Sequence, residues 1–254
     1  MRASTSPLYV QIADQIRRGI KEKKYAVGQR LPAEGVLSAE FGVNRHTLRQ
    51  AIARLKQEGL LHIERGKGTF VTAAPIRYPI GKRVRYNEAL KAQGHAVRFE
   101  LVRSEVVVAD SAIAKGLSIK VGDSVALTER LGFADDIPIS VGLGYFPLSL
   151  FPDLLSAESV AQLKTLGSIS RWLRSRYNID HIRRSSSVSA RLVQISDAKL
   201  LGLPLNQPIL LVESINVDQA GRVIEYGVAK LRGDRMELFF ENSLEPSTAP
   251  SQPI

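Results

Sequence analysis

The chain has 254 residues, 44% hydrophobic and 24% charged, with 35 Lys+Arg against 25 Asp+Glu for a formal net charge of +10; that size suits one large or two modest domains, and two fit better. The lack of cysteine excludes disulfides, thiol nucleophiles and thiolate-bound metal centres, and the scattered His46, His62, His95 and His181 form no ligand cluster, so neither a metal nor a cofactor is expected. No run approaches the ~20 apolar residues of a membrane span and the start MRASTSPLYVQI lacks the apolar core of a signal peptide, so the expected location is the cytosol.

The charge is unevenly spread. Residues 1–74 hold 13 Lys+Arg against 6 Asp+Glu, net +7, and the other 180 hold 22 against 19, net +3. A concentrated positive field suits a polyanion partner, because neutralising phosphates releases condensed counterions. An evenly solvated basic surface is the plainer alternative.

In PLYVQIADQIRRGIKEKK, Leu8, Ile12, Ile16 and Ile20 recur every fourth residue and line one face of an expected helix, which Pro7 suits as its first turn. Leu31-Pro32 introduces a second short helix over Ala33 to Phe41, with Val36 and Leu37 inward, and Gly42 ends it. Asn44 is a good N-cap for a third helix, Arg45 to Glu58, whose buried stripe is Leu48, Ala51, Ile52 and Leu55. Burying that stripe leaves Arg45, His46, Arg49, Gln50 and Arg54 on the other side, with Thr47 beside them. Two helices joined by a four-residue turn, the second showing basic and amide side chains near its start, form a helix-turn-helix suited to a major groove. There arginine bonds guanine, glutamine bonds adenine, and Thr47 reaches phosphate or a thymine methyl. An amphipathic helix with an ordinary charged face fits the same pattern. LHIER, GKG and TFV then read as a hairpin with Gly66, Lys67 and Gly68 at its tip, a wing whose glycines allow close approach to a sugar-phosphate surface.

The segments GQRLPAE, FGVNRHTLRQAIARLKQEGLL and GKGTFV, in that order and spacing, resemble the winged-helix domain of GntR-type bacterial transcription regulators over about Leu8 to Val71. The resemblance implies that Arg30 contacts phosphate, that Arg45 and Arg49 read the major groove with Thr47 alongside, and that the Gly66 to Gly68 tip enters the minor groove. Gly35 stands where the family usually has an arginine or other polar residue, which implies one lost phosphate contact.

The domain boundary is expected at residue 74, with residues 75–79 a linker, 80–245 a second domain and 246–254, rich in Pro and Ser, a disordered tail. The second domain reads as helix Tyr86 to Gln93, strand 97–108, a short helix near Asp110 to Gly116 and strand 124–134. The Asp135-Asp136 turn leads to IPISVGLGYFP, followed by a helix near Ser168 to Tyr177 and strands around 181–193, 208–217, 222–231 and 236–241. Tight turns between successive strands favour an antiparallel sheet with helices on one side, so the fold class is α+β, a winged helix-turn-helix followed by that sheet domain. Arg83, Arg85 and Tyr86 at a helix start suggest an anion site, although a solvated helix entrance reads the same way.

LTERLGFADDIPIS, GYFP, GSISRWL and VIEY…RGDRMEL resemble the effector-sensing domain of the HutC-type branch of GntR regulators, similar in fold to chorismate lyase. In relatives that sense phosphorylated sugars an arginine, an acidic residue, a serine and a glutamate line the pocket. The resemblance implies an effector site with Arg130, Ser168 and Glu225 in three of those roles, and Tyr145 of GYFP alongside. Gly132, Gly142, Ser170 and Leu231 replace a second arginine, the acidic residue and two tyrosines, which argues against an amino-sugar. YPIGKRVRY, ERLGFADDIPIS and VGLGYFP look more like regulators of phosphonate uptake and breakdown operons. The expectation is a homodimeric regulator, more a repressor than an activator, binding pseudo-palindromic double-stranded DNA and a small anionic effector, a phosphonate or phosphate ester held by Arg83, Arg85 and Arg130. A lyase-like enzyme and a nonspecific DNA-coating protein are the alternatives; against the enzyme stand the missing metal cluster, the lack of a histidine paired with a nucleophile, and the lack of a nucleotide loop.

Overall fold

The computed structural model describes residues 6–64, 66–72 and 75–241, and the chain divides into two compact units, residues 1–74 and 75–254. In the first, α1 (Leu8–Lys21), α2 (Glu34–Glu40) and α3 (Arg45–Gln57) precede β1 (Leu61–Glu64) and β2 (Gly68–Val71). The hairpin pairs Leu61 with Val71 through Glu64 with Gly68. Ile12 and Ile16 of α1, Leu37 of α2 and Leu48, Ala51, Ile52 and Leu55 of α3 share one core with Leu61 and Val71. Each fully buried aliphatic side chain contributes ~1.5–3 kcal/mol. The end of α1 folds back so closely that a Cβ on Gly19 would lie 2.8 Å from the Tyr25 ring. Asn44 caps α3, its Oδ1 accepting from the Thr47 N–H at 2.8 Å. Two residues depart from the expected stripes. Val36 is 59% and Leu8 52% exposed, because α2 spans only two turns and buries Leu37 and Ser38, while Leu8 opens α1 ahead of the core.

The second unit runs β3 (Ile76–Pro79), α4 (Tyr86–Ala92), β4 (Val97–Val108), α5 (Ser111–Leu117), β5 (Ser124–Ala134), β6 (Ile137–Pro147), α6 (Ala157–Leu166), α7 (Ile169–Tyr177), β7 (Ile182–Leu192), α8 (Ile195–Leu201), β8 (Pro208–Val217), β9 (Val223–Arg232) and β10 (Met236–Phe239). Six strands form one sheet in the order β4-β5-β6-β9-β8-β7, antiparallel throughout. Asp135 and Asp136, both at positive φ (51° and 62°), make the tight β5–β6 turn that matches strand twist. Residues 75–79 are no linker. Ile76 and Tyr78 are each 5% exposed, and β3 pairs in parallel with β10, Met236 opposite Ile76 and Phe239 opposite Pro79. Alternation along β3 buries every second residue, which the bordering prolines concealed in the sequence. The last strand ends at Phe239, short of the expected 241, and the tail assigned to 246–254 lies outside the described residues.

Period-2 alternation sorts the sheet's faces. On β5, Ala126 packs with α6 and α7 and Ala134 with α4, whereas Val125 packs with α5 and Leu131 and Phe133 with α8. The gathering of helices on one side is thus that of α4, α6 and α7, and the short α5 and α8 cover the opposite face.

Candidate functional site

The first unit presents one exposed basic face. Arg45, His46, Arg49 and Gln50 of α3 are exposed and Thr47 half-buried, its hydroxyl 3.0 Å from Asn44 Oδ1. Arg49 Nε donates to Glu34 Oε2 at 2.8 Å across to α2, a surface pair worth ~0–1 kcal/mol, so the guanidinium can leave it for a base edge at little cost. Arg54 differs from its neighbours. Its Nε donates to Glu58 Oε1 at 3.0 Å, and Glu58 also holds Arg17 at 2.6 Å. Burial would lift the Glu58 carboxyl, but the Arg17 bond outweighs it and, with Arg54, holds the pKa below the usual value. Arg54 is therefore turned toward α1, away from the helix start.

The wing is braced from behind. Leu31 N–H donates to Thr69 C=O at 2.8 Å, Gly28 N–H to Val71 C=O at 3.0 Å and Val71 N–H to Gln29 C=O at 3.0 Å, so residues 28–31 run along β2. Arg30 lies across Gly68, where a Cβ would come 2.5 Å from its Nε, and Gly66 and Gly68 sit at φ of +78° and +124°. Only glycine fits both demands at residue 68. Arg45 Nη2 stands 3.6 Å from where a side chain on Gly35 would begin. Arg30 and the Gly66-Lys67-Gly68 tip thus meet on the wing.

A cavity of about 150 Å³ opens in the second unit between the sheet and the starts of α4 and α7. Four of the expected effector residues line it: Tyr86, Arg130, Ser168 and Glu225. Three do not. Arg83 is 54% exposed and pairs with Asp180 at 3.5 Å, and Arg85 is 61% exposed beside Glu88 at 3.7 Å. Both belong to the extended segment before α4, whose side chains alternate, and its inward residue is Val84. Tyr145 sits on the opposite sheet face, stacked on Tyr226 with ring centroids 5.9 Å apart. Gly142 and Gly144 hold the cavity-side phase of β6, so Tyr145 must face away.

The cavity floor is made of small residues. Gly132, Gly142 and Gly227 line it, and a Cβ on Gly144 would meet Glu225 Oε1 at 2.7 Å, one on Gly227 the Ser214 hydroxyl at 2.9 Å. Arg130 lies across this floor, its Nη2 3.5 Å from the Cβ position of its cross-strand partner Gly142. Among the described residues no hydrogen bond or ion pair engages its guanidinium, and its Nε is buried without a partner. Burial lowers its pKa, which the nearby Glu225 and Tyr86 oppose, though an arginine keeps its charge. Arg183 also lines the cavity, donating to Tyr78 OH at 2.7 Å and Gly81 C=O at 3.1 Å. Ser168 caps α7, whose first-turn N–H groups and dipole favour negative charge. Burial pushes the Tyr86 phenol far above its ordinary pKa, and its OH donates to Ser140 Oγ at 3.2 Å.

Sequence reasoning missed the deepest network. Ser170 Oγ donates to Val84 C=O at 2.8 Å and is 2.9 Å from His181 Nδ1, while His181 Nε2 lies 2.6 Å from Glu225 Oε2. With its proton directed to Val84, Ser170 meets Nδ1 as an acceptor. Burial alone would raise the Glu225 pKa, yet His181, Arg130 and Asn216 hold it below its ordinary value. Asn216 Nδ2 donates to the same Oε2 at 2.6 Å. No periodicity pointed to His181 or Arg183. Asn216 carried a usable signal, a polar residue inside the apolar run of β8.

A winged DNA-binding head joined to a sheet domain with a buried, cation-lined cavity defines a ligand-controlled DNA-binding transcriptional regulator. The gntR family of bacterial regulatory proteins matches residues 8–71 and the UTRA domain residues 92–237. The chain belongs to the GntR family, in its UTRA-bearing, HutC-type branch. It is 31% identical over 249 residues to the probable transcriptional regulator PhnF of Escherichia coli K12, covering 95% of this chain and all of that one. An HTH-type regulator of Rhizobium meliloti 1021, RB1450, is 33% identical over 235 residues, 92% of this chain and 94% of that one. The crystal structure of PhnF from Mycobacterium smegmatis superposes with a TM-score of 0.63 at 28% identity, covering 94% of this chain and 100% of that one.

Proposed function

We propose that the protein is a homodimeric, cytosolic repressor whose operator affinity is set by a small tetrahedral anion, a phosphonate or phosphate ester, bound in the second unit. The observation that carries this reading is Arg130, a buried guanidinium with no hydrogen-bond partner among the described residues, facing a cavity that Arg183 and the start of α7 also line. Gly132, Gly142, Ser170 and Leu231, which replace the polar residues of sugar-sensing relatives, all line the cavity, so the sequence departures fall where they would change the ligand. The likeness to regulators of phosphonate operons supports the same anion. Base reading falls to Arg45, Arg49 and Gln50, with His46 at the edge, Thr47 beside them, and phosphate contact to Arg30 and the Gly66-Lys67-Gly68 tip; Arg54, tied to Glu58, has at most a phosphate within reach.

We read the site as a sensor and not as a catalyst. Ser170, His181 and Glu225 have the composition of a hydrolase triad, but a nucleophile must give its proton to the imidazole, and Ser170 gives its own to Val84. A two-fold dimer would read a two-fold operator. Regulation requires only that the anion bind one of two operator affinities' parent states ~5 to 150-fold better, a coupling of ~1–3 kcal/mol. Calorimetry of the full chain with inorganic phosphate, methylphosphonate and ethylphosphonate, alongside operator gel shifts with the same anions, tests the reading. Binding that is lost in Arg130→Ala and that changes operator affinity supports it; no heat from any of the three anions refutes it.

A further inference from the structure

The cavity is polarised along one strand. Arg130 Nη2 stands 3.5 Å above the Cβ position of Gly142, and Glu225 Oε1 stands 2.7 Å from that of Gly144. Those two positions share a face of β6 and are two residues apart, about 7 Å at strand rise. One end of the floor therefore offers hydrogen-bond donors and the other offers acceptors.

The acceptor end is unfinished. Glu225 Oε2 takes both the His181 and the Asn216 donors, and among the described residues no hydrogen bond to Oε1 accompanies them. Asn216 is 3% exposed, and its Oδ1 is buried without a partner. Flipping the amide does not help, because it would set Oδ1 against the carboxylate and waste the donor that Glu225 needs. Buried acceptors without donors are costly, and both Asn216 and Glu225 line the cavity. At the donor end Arg130 is equally unpaired. A simple alkylphosphonate would satisfy Arg130 and leave the Glu225 end bare, whereas a molecule carrying a donor at its other end completes both.

We propose that this cavity selects a zwitterion, a small phosphonate or phosphate ester bearing an ammonium group on a short spacer, with the anion on Arg130 and the ammonium on Glu225 Oε1 and Asn216 Oδ1. The inference rests on the anion-effector reading above and adds the ligand's second group.

The test compares 2-aminoethylphosphonate with ethylphosphonate, which share the two-carbon chain and the phosphonate group, by calorimetry on the full chain. The amine should bind at least about tenfold tighter, the scale of one charge-assisted hydrogen bond, and 2-hydroxyethylphosphonate should fall between. In Glu225→Gln the preference for the amine, read as the ratio of the two affinities, should shrink to about onefold. Equal or tighter binding of ethylphosphonate by the wild-type chain overturns the inference and leaves the anion site standing, and it needs no variant to fold. An undiminished preference in Glu225→Gln also overturns it, since the ammonium then sits elsewhere. Binding of neither compound overturns the anion reading and this inference together.

Discussion

Gly142 and Gly144 allow the cavity floor to be tested one methyl at a time. They share a face of β6, and neither has a positive φ, so alanine is conformationally allowed at both. A Cβ at residue 142 meets only Arg130, Nη2 at 3.5 Å and Cζ at 3.9 Å, an ordinary contact with the mobile end of a side chain. At residue 144 it meets Glu225 Oε1 at 2.7 Å and the Phe146 ring at 2.8 and 3.2 Å. Phe146 is fully buried and packs edge-on to Trp172 at 6.1 Å, so it has nowhere to go. Removing a glycine restrains the unfolded chain at either position, a gain of ~0.4–1 kcal/mol. Overpacking at residue 144 costs ~1–3 kcal/mol. Gly144→Ala should thus lie ~2 kcal/mol below Gly142→Ala, which is ~4–8 °C in Tm for a unit of this size. Trp172 is the chain's one tryptophan and lies in the second unit, so its emission follows that unit's unfolding by heat or urea. Equal melting of the two variants, or a lower Tm for Gly142→Ala, would refute the packing argument.

Three further outcomes follow from the same geometry. Arg49→Ala should erase operator preference at one base position at a cost of ~1–3 kcal/mol, read from binding to a set of single-base operator variants; an intact preference means another residue reads that base. Asn44→Ala removes the cap of α3 and should destabilise the first unit by ~0.5–2 kcal/mol, measured by urea unfolding of that unit followed by far-UV circular dichroism, while the Trp172 transition stays where it was. His181, Arg130 and Asn216 hold the Glu225 pKa below the ordinary glutamate value despite burial, so its stabilising contribution is complete above the unfolded value of about 4.3 and is lost as pH falls through the lower folded value. Trp172 melts between about pH 5 and 3 should decline less steeply in Glu225→Gln than in the wild type, and parallel declines would show that the carboxylate network is not the sensitive element.

The first unit was legible almost residue by residue because each helix carries its own signal: a 3.6-residue stripe, a cap at Asn44 and a glycine stop at Gly42. Where it misled, the element was too short or terminal for periodicity to decide, as with Val36 and Leu8. The sheet domain's strands showed through their alternation, but α6 and α8 went unseen. The 7-residue α8 follows β7 without a glycine or proline break. The cavity was half legible. Arg130, Ser168 and Glu225 came from resemblance, whereas Arg183, His181 and Asn216 reach the site from strands and loops distant in the chain, and only the register of β7, β8 and β9 brings them together. Arg83 and Arg85 were drawn in by their charge at a helix start, and alternation around Val84 turned them outward.

The pairing of β3 with β10 sets an order of events at the ribosome. Ile76 cannot find its neighbour until Met236 has been made, and at ~5–20 residues per second that wait is on the order of ten to thirty seconds. The head, whose core closes within its own 74 residues, is complete long before. For that interval each newborn molecule carries a head whose core is complete beside a second unit whose closing strand has yet to be made.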